Sequence, residues 1–119
     1  MAESDRQPMK GIFTYEEALK IFPQVKDLTT DAVKKATLLS AEMLALPAGS
    51  PRREILEQDY GRLFHGWAHE VESLGCEVKG VWLVDFDNGE GYYCWKYPEA
   101  RLEYFHDYTA GFSGRMKIQ

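Results

Sequence analysis

VKGVWLVDFDNGEGYYCWKYPEARLEYFHDYTAGFSGR, residues 78–115, is the stretch whose reading decides the fold. Ten of the chain's sixteen Phe, Trp and Tyr residues lie between Trp82 and Phe112. Val81–Phe86 is rich in β-formers, and Asp87-Asn88-Gly89-Glu90-Gly91 is a strong turn signal before the return strand Tyr92–Tyr97. Tyr97-Pro98-Glu99-Ala100 reads as the next turn and Arg101–His106 as another strand. The pattern predicts three antiparallel strands, at about 81–87, 91–97 and 101–106. Cys76–Lys79 either extends the first strand, with Gly80 allowing a bulge, or stands apart. Gly111-Phe112-Ser113-Gly114-Arg115 reads as a tail folded back on one aromatic anchor.

Upstream of the strands, the periodicity changes from two to between three and four. Thr14 caps a helix start, with Glu17 placed to complete a capping box and Phe13 and Ala18 at the staple positions. Pro23 lacks a backbone donor, so a helix over about 15–22 is expected to kink or restart there. Phe22, Val25, Leu28, Ala32, Val33, Ala36, Leu39, Met43 and Leu46 then form one stripe, predicting a helix over 23–46. Ser50-Pro51 opens another helix, predicted over 51–74, with Gly75 as its stop. A connection this short makes the two helices an antiparallel hairpin.

The predicted fold class is therefore α+β: an antiparallel helical hairpin packed on a small three-stranded antiparallel sheet with a C-terminal tail. Residues 1–10 read as a disordered lead-in and 11–119 as a single α+β domain. A helix over 23–46 is about 35 Å long, while a compact chain of this size has a radius of gyration of about 13–14 Å. The surplus apolar face calls for a second copy, so a homodimer through the helices is expected.

Composition narrows the function classes. A chain of 119 residues with 45% hydrophobic and 28% charged residues has an ordinary globular composition. It contains no run of about 18 apolar residues that would span a membrane. MAESDRQPMK has no apolar segment resembling a secretory signal. The only two cysteines, Cys76 and Cys94, are read as reduced in a cytoplasmic protein. A formal net charge of −5, with the aromatic-rich end itself acidic, argues against nucleic acid as a partner.

FTYEEA (13–18), LVDF (83–86), YYCWKYPE (92–99), YFHD (104–107) and GFSGR (111–115) form a set. Together they resemble the prokaryotic domain-of-unknown-function family 2203, over residues 13–23 and about 76–115. The chain departs from the family pattern at Asp87 (usually Pro), Lys96 (Arg), Tyr97-Pro98 (where Gly is common), Phe105 (Trp) and Trp82 (a Gly-like position). The fold reading is unaffected. The resemblance implies no activity and supplies no functional residue.

The residues themselves offer three constellations. His106 joins a metal site if Cys94 or Asp85 faces the same way; nitrogen, sulfur and carboxylate ligands together suit zinc. Otherwise it is a strand-end histidine bonded to backbone or to Asp85. His65 and His69, four apart on the second helix with Glu72 following, form an alternative metal edge, or simply a solvated face or dimer seam. Asp85 is expected to clasp Arg115, pinning the tail. In a functional version Asp85, Trp95, His106 and Arg115 line a ligand-binding pocket. No complete catalytic set is present and no cofactor is required, so the reading leans away from an enzyme. A non-enzymatic homodimeric interaction module comes first. The alternative is a metal- or small-molecule-binding protein with its site near His106, Asp85, Cys94 and Arg115.

Overall fold

The computed structural model describes residues 11–119, so the expected lead-in over 1–10 lies outside the described residues. Two helices, α1 (Tyr15–Leu44) and α2 (Pro51–Ser73), precede five strands: β1 (Glu77–Gly80), β2 (Leu83–Asp87), β3 (Gly91–Lys96), β4 (Tyr104–Asp107) and β5 (Met116–Lys117). The strands pair antiparallel in chain order as a meander, with a 3₁₀ turn at Phe112–Gly114 before β5. The α+β class and the helical hairpin hold, but the sheet has five strands rather than three. Cys76–Lys79 became a strand of its own because the turn at Val81-Trp82 folds it back onto β2, with an irregularity between Val78 and Gly80. The tail supplies the other addition, β5, beside β4.

α1 begins as its residues dictate. Thr14 Oγ1 accepts from the Glu17 amide at 3.1 Å, and Glu17 Oε1 accepts from the Thr14 amide at 2.9 Å. Pro23 does not break the helix, which is continuous for 30 residues. The buried positions Ala18, Phe22, Val25, Thr29, Ala32 and Ala36 step by four and three straight through it. Pro23 itself is exposed, so its ring meets water on the far side of that stripe. Packing of one continuous face outweighs the lost hydrogen bond. Ser50 caps α2, accepting from the Arg53 amide at 3.1 Å, and Gly75 (φ 97°) ends it.

The core lies between the hairpin and one face of the sheet. Val84, Phe86 and Trp95 meet Phe13, Phe22, Val25, Trp67 and Val71, with Phe22 edge-on to Trp95 at 5.5 Å between ring centroids. Thr29 is the polar member of that interior. Its hydroxyl donates to the Val25 carbonyl at 2.7 Å and accepts from Trp67 Nε1 at 2.9 Å, so neither group is left unpaired. No fully buried α1 residue lies beyond Ala36, so the far end of the hairpin overhangs the sheet. The radius of gyration is 16.6 Å, against about 13.5 Å for a compact chain of this length. Among the described residues no helix is long and apolar enough to cross a membrane.

Candidate metal centre

Strand alternation decides what the second face of the sheet carries. The register pairs Asp85 with Cys94, Tyr92 with His106 and Glu77 with Asp85, which puts all of these opposite the core residues Val84, Phe86 and Trp95. Asp85 and His106 sit on strands separated by β3, about 9.5 Å apart. The imidazole therefore reaches across β3, and its Nε2 stops 3.0 Å from Asp85 Oδ2. Cys94 lies directly below that bridge as the cross-strand neighbour of Asp85. Close strand contact is built in at Gly91, where a Cβ would collide with the His106 carbonyl oxygen.

The proton count follows from the partners. His106 Nδ1 lies 2.7 Å from the Asp107 carbonyl oxygen, which can only accept, so Nδ1 carries a hydrogen. The 3.0 Å contact between Nε2 and Asp85 Oδ2 then holds a single shared proton. Asp85 and His106 are 1% and 3% exposed. Burial pushes the Asp85 pKa up, opposed by the Cys94 thiol and by the charges of His106 and Lys79. Burial also drives the Cys94 thiol well above its ordinary value, helped by Asp85 and opposed by Arg115. Asp85 Oδ1 is buried and has no hydrogen-bond partner among the described residues.

One ligand atom from each of Asp85, Cys94 and His106 lies within 4.8 Å of the others, the grouping of this kind found among the described residues. A tetrahedral ion with bonds of about 2.0–2.3 Å sets such atoms about 3.3–3.5 Å apart, so side-chain shifts of about 1 Å would seat it. Nδ1 held by a backbone carbonyl is the support that presents Nε2 to a metal. These three residues help line a cavity of about 290 Å³ whose other walls are Lys79, Leu83, Tyr108, Thr109, Gly111 and Phe112. The donor set fits zinc or a similar ion.

The other expected site residues are placed differently. Arg115 does not clasp Asp85, although its guanidinium stands beside the Cys94 thiol and acts to lower that thiol's pKa. It makes a bidentate pair with Glu99, at 3.0 and 2.8 Å, with its guanidinium between the rings of Tyr104 and Phe112. Glu99 is the better partner because its turn brings it to the edge where the tail returns; its carboxylate also accepts from the Lys96 amide at 2.9 Å. Trp95 is buried on the helical face, its Nε1 donating to the Glu99 carbonyl, so it lines no pocket with His106. His65, His69 and Glu72 are exposed on α2 and form no such grouping.

Lys79 was not foreseen at the site. Its ammonium stands 3.9 Å from the centre of the Tyr92 ring, 3.4 Å from Glu77 Oε1 and 3.7 Å from Asp85 Oδ2. Alternation from Glu77 could have placed it, had β1 been read as a paired strand. Tyr108, donating its hydroxyl to Asp87 Oδ1 at 2.7 Å, gave no sequence signal for the site.

A family model described as "Uncharacterized conserved protein (DUF2203)" matches residues 11–118. No curated protein and no solved structure matches the chain.

Proposed function

This chain belongs to the DUF2203 family, and we propose from its geometry alone that it binds a zinc-class metal ion through Asp85, Cys94 and His106. The observation that carries this reading is the meeting of a nitrogen, a sulfur and a carboxylate donor in one buried place, with one carboxylate oxygen left unpartnered. Buried polar atoms are rarely left so. An ion would take the place of the shared proton and of the thiol hydrogen. Binding then releases about two protons per metal, which makes affinity rise steeply with pH. The chemistry requires Cys94 reduced, as cytosolic thiols are, and the reading assigns the protein to that compartment.

Cobalt(II) substitution tests it on the full chain. The expected result is one ion per chain, with a sulfur-to-cobalt absorption band and about two protons released. Cys94→Ser should lose that band, and each of Cys94→Ser and His106→Ala should weaken binding by more than about 100-fold, beyond the loss typical of an outer-shell partner. Cys94→Ser leaves the Asp85–His106 bond in place, so its result is readable even if His106→Ala unfolds. Uptake of cobalt without the sulfur band, or none at all, would sink the proposal.

A second reading, self-association through the hairpin, rests on the overhang. Leu38, Leu44 and Ile55 are 71%, 78% and 47% exposed there. Lone exposed leucines are common, but these sit on a two-helix projection with no sheet beneath it. A second copy packed on it would make a four-helix arrangement. The solution mass from sedimentation tests this directly, and a monomer would end it.

A further inference from the structure

Three protein ligands leave a tetrahedral ion one coordination position. Asp85, Cys94 and His106 are part of the cavity wall, so that position falls to whatever occupies the cavity. The charges of the wall then choose the occupant. A divalent ion is neutralised by the Asp85 carboxylate and a Cys94 thiolate, with His106 neutral. Of the remaining lining residues, Lys79, Leu83, Tyr108, Thr109, Gly111 and Phe112, only Lys79 is charged. The loaded cavity is thus a neutral metal centre beside one ammonium, with the Arg115 guanidinium next to Cys94 already paired to Glu99.

That ammonium is held in place. The Tyr92 ring lies under it at 3.9 Å, and Glu77 Oε1 anchors it from outside the cavity lining at 3.4 Å. Its other acidic neighbour is the Asp85 carboxylate, with Oδ2 at 3.7 Å, and an ion would claim that carboxylate. Metal loading therefore frees a positioned N–H donor within reach of an atom bound to the metal. The Thr109 hydroxyl already donates to Asp107 Oδ1 at 3.1 Å, so Lys79 is the donor, while Leu83 and Phe112 are apolar. A cavity of about 290 Å³ has room for a small anion.

We propose that the cavity binds a small oxyanion, one oxygen on the metal held by Asp85, Cys94 and His106 and another on Lys79, with any apolar part against Leu83 and Phe112. The inference rests on the metal reading above. Its chemistry is that of a carboxylate or a phosphoryl group.

The test uses the cobalt-saturated full chain, titrated with acetate and, separately, with inorganic phosphate while the visible cobalt bands are followed. A saturable shift with acetate marks carboxylate binding, a shift with phosphate marks phosphoryl binding, and either supports the proposal. Lys79→Met, measured at saturating cobalt, should weaken the anion by about tenfold or more, the scale of one charge-assisted hydrogen bond, and Lys79→Arg should recover part of that. Bands that neither anion moves, or a Lys79→Met protein that responds like the wild type, would overturn it. Failure to form the sulfur-to-cobalt band removes both readings; a band deaf to anions removes this one alone.

Discussion

Trp82 holds a backbone that L-residues avoid. Its φ is 58°, in the left-handed region, at the turn joining β1 to β2. The side chain compensates by packing edge-on against Trp67 at 4.8 Å and against Phe64 at 6.0 Å. Trp82→Gly therefore sets strain against packing. Relief of left-handed strain returns about 1–2 kcal/mol. Truncating a fully buried Trp costs about 3–5 kcal/mol, of which a half-buried one loses about half, and glycine's flexibility adds about 0.5–1 kcal/mol. Packing wins: the variant should be less stable by about 1 kcal/mol, a fall of about 4 °C in Tm by calorimetry. A rise in Tm would mean that strain outweighs packing at this turn. Cys76 gives a pH signature at the same scale. Burial raises its pKa from 9.0 to about 12, so between those values the unfolded chain sheds a proton that the folded chain keeps. The contribution is whole below pH 9 and lost as pH climbs toward 12. Stability should fall there by up to about 1.4 kcal/mol per pH unit from this thiol. Denaturant titrations across that range should give a shallower slope for Cys76→Ala.

α1 carries its proline at a cost that substitution should recover. An interior proline disfavours a helix by about 3 kcal/mol relative to alanine, while alanine returns about 0.4–1 kcal/mol of freedom to the unfolded chain. Since Pro23 is exposed and packs on nothing in the core, Pro23→Ala should stabilise by about 2 kcal/mol, seen as a higher denaturation midpoint at unchanged slope. No change would mean that α1 already accommodates the ring without loss. The unbroken helix was legible in the spacing from Ala18 to Ala36, and the local rule for proline obscured it. The central strands were legible too, since alternation and turn chemistry are local. β1 and β5 were not, because four- and two-residue strands carry too few alternations to declare themselves. At the site, the bond between His106 and Asp85 was within reach of sequence reasoning, and so was the placement of Trp95. Adjacent strand residues face opposite ways, so Cys94 and Trp95 cannot both meet His106. The pairing of Arg115 with Glu99 was not within reach, because it depends on where a loop returns in space.

At the scale of the whole molecule, two surfaces lie apart. The hairpin covers one face of the sheet and projects past it, while the cavity opens on the other face. Self-association through the overhang should therefore leave metal binding untouched. Leu44→Glu, at a position 78% exposed, should turn a dimer into a folded monomer in sedimentation and keep the cobalt spectrum of the wild type. A variant that stays dimeric would move the contact elsewhere, and one that loses cobalt as well would tie the two surfaces together.

The brevity of the outermost strands has a further consequence. An open sheet invites foreign strands to its rim, and long, flat, apolar rims seed fibrils. Here β5 offers only Met116 and Lys117, and β1 is four residues long, irregular after Val78 and bearing Lys79. Neither rim is a template on which another chain could grow. A concentrated stock should accordingly stay free of thioflavin-positive, cross-β deposits.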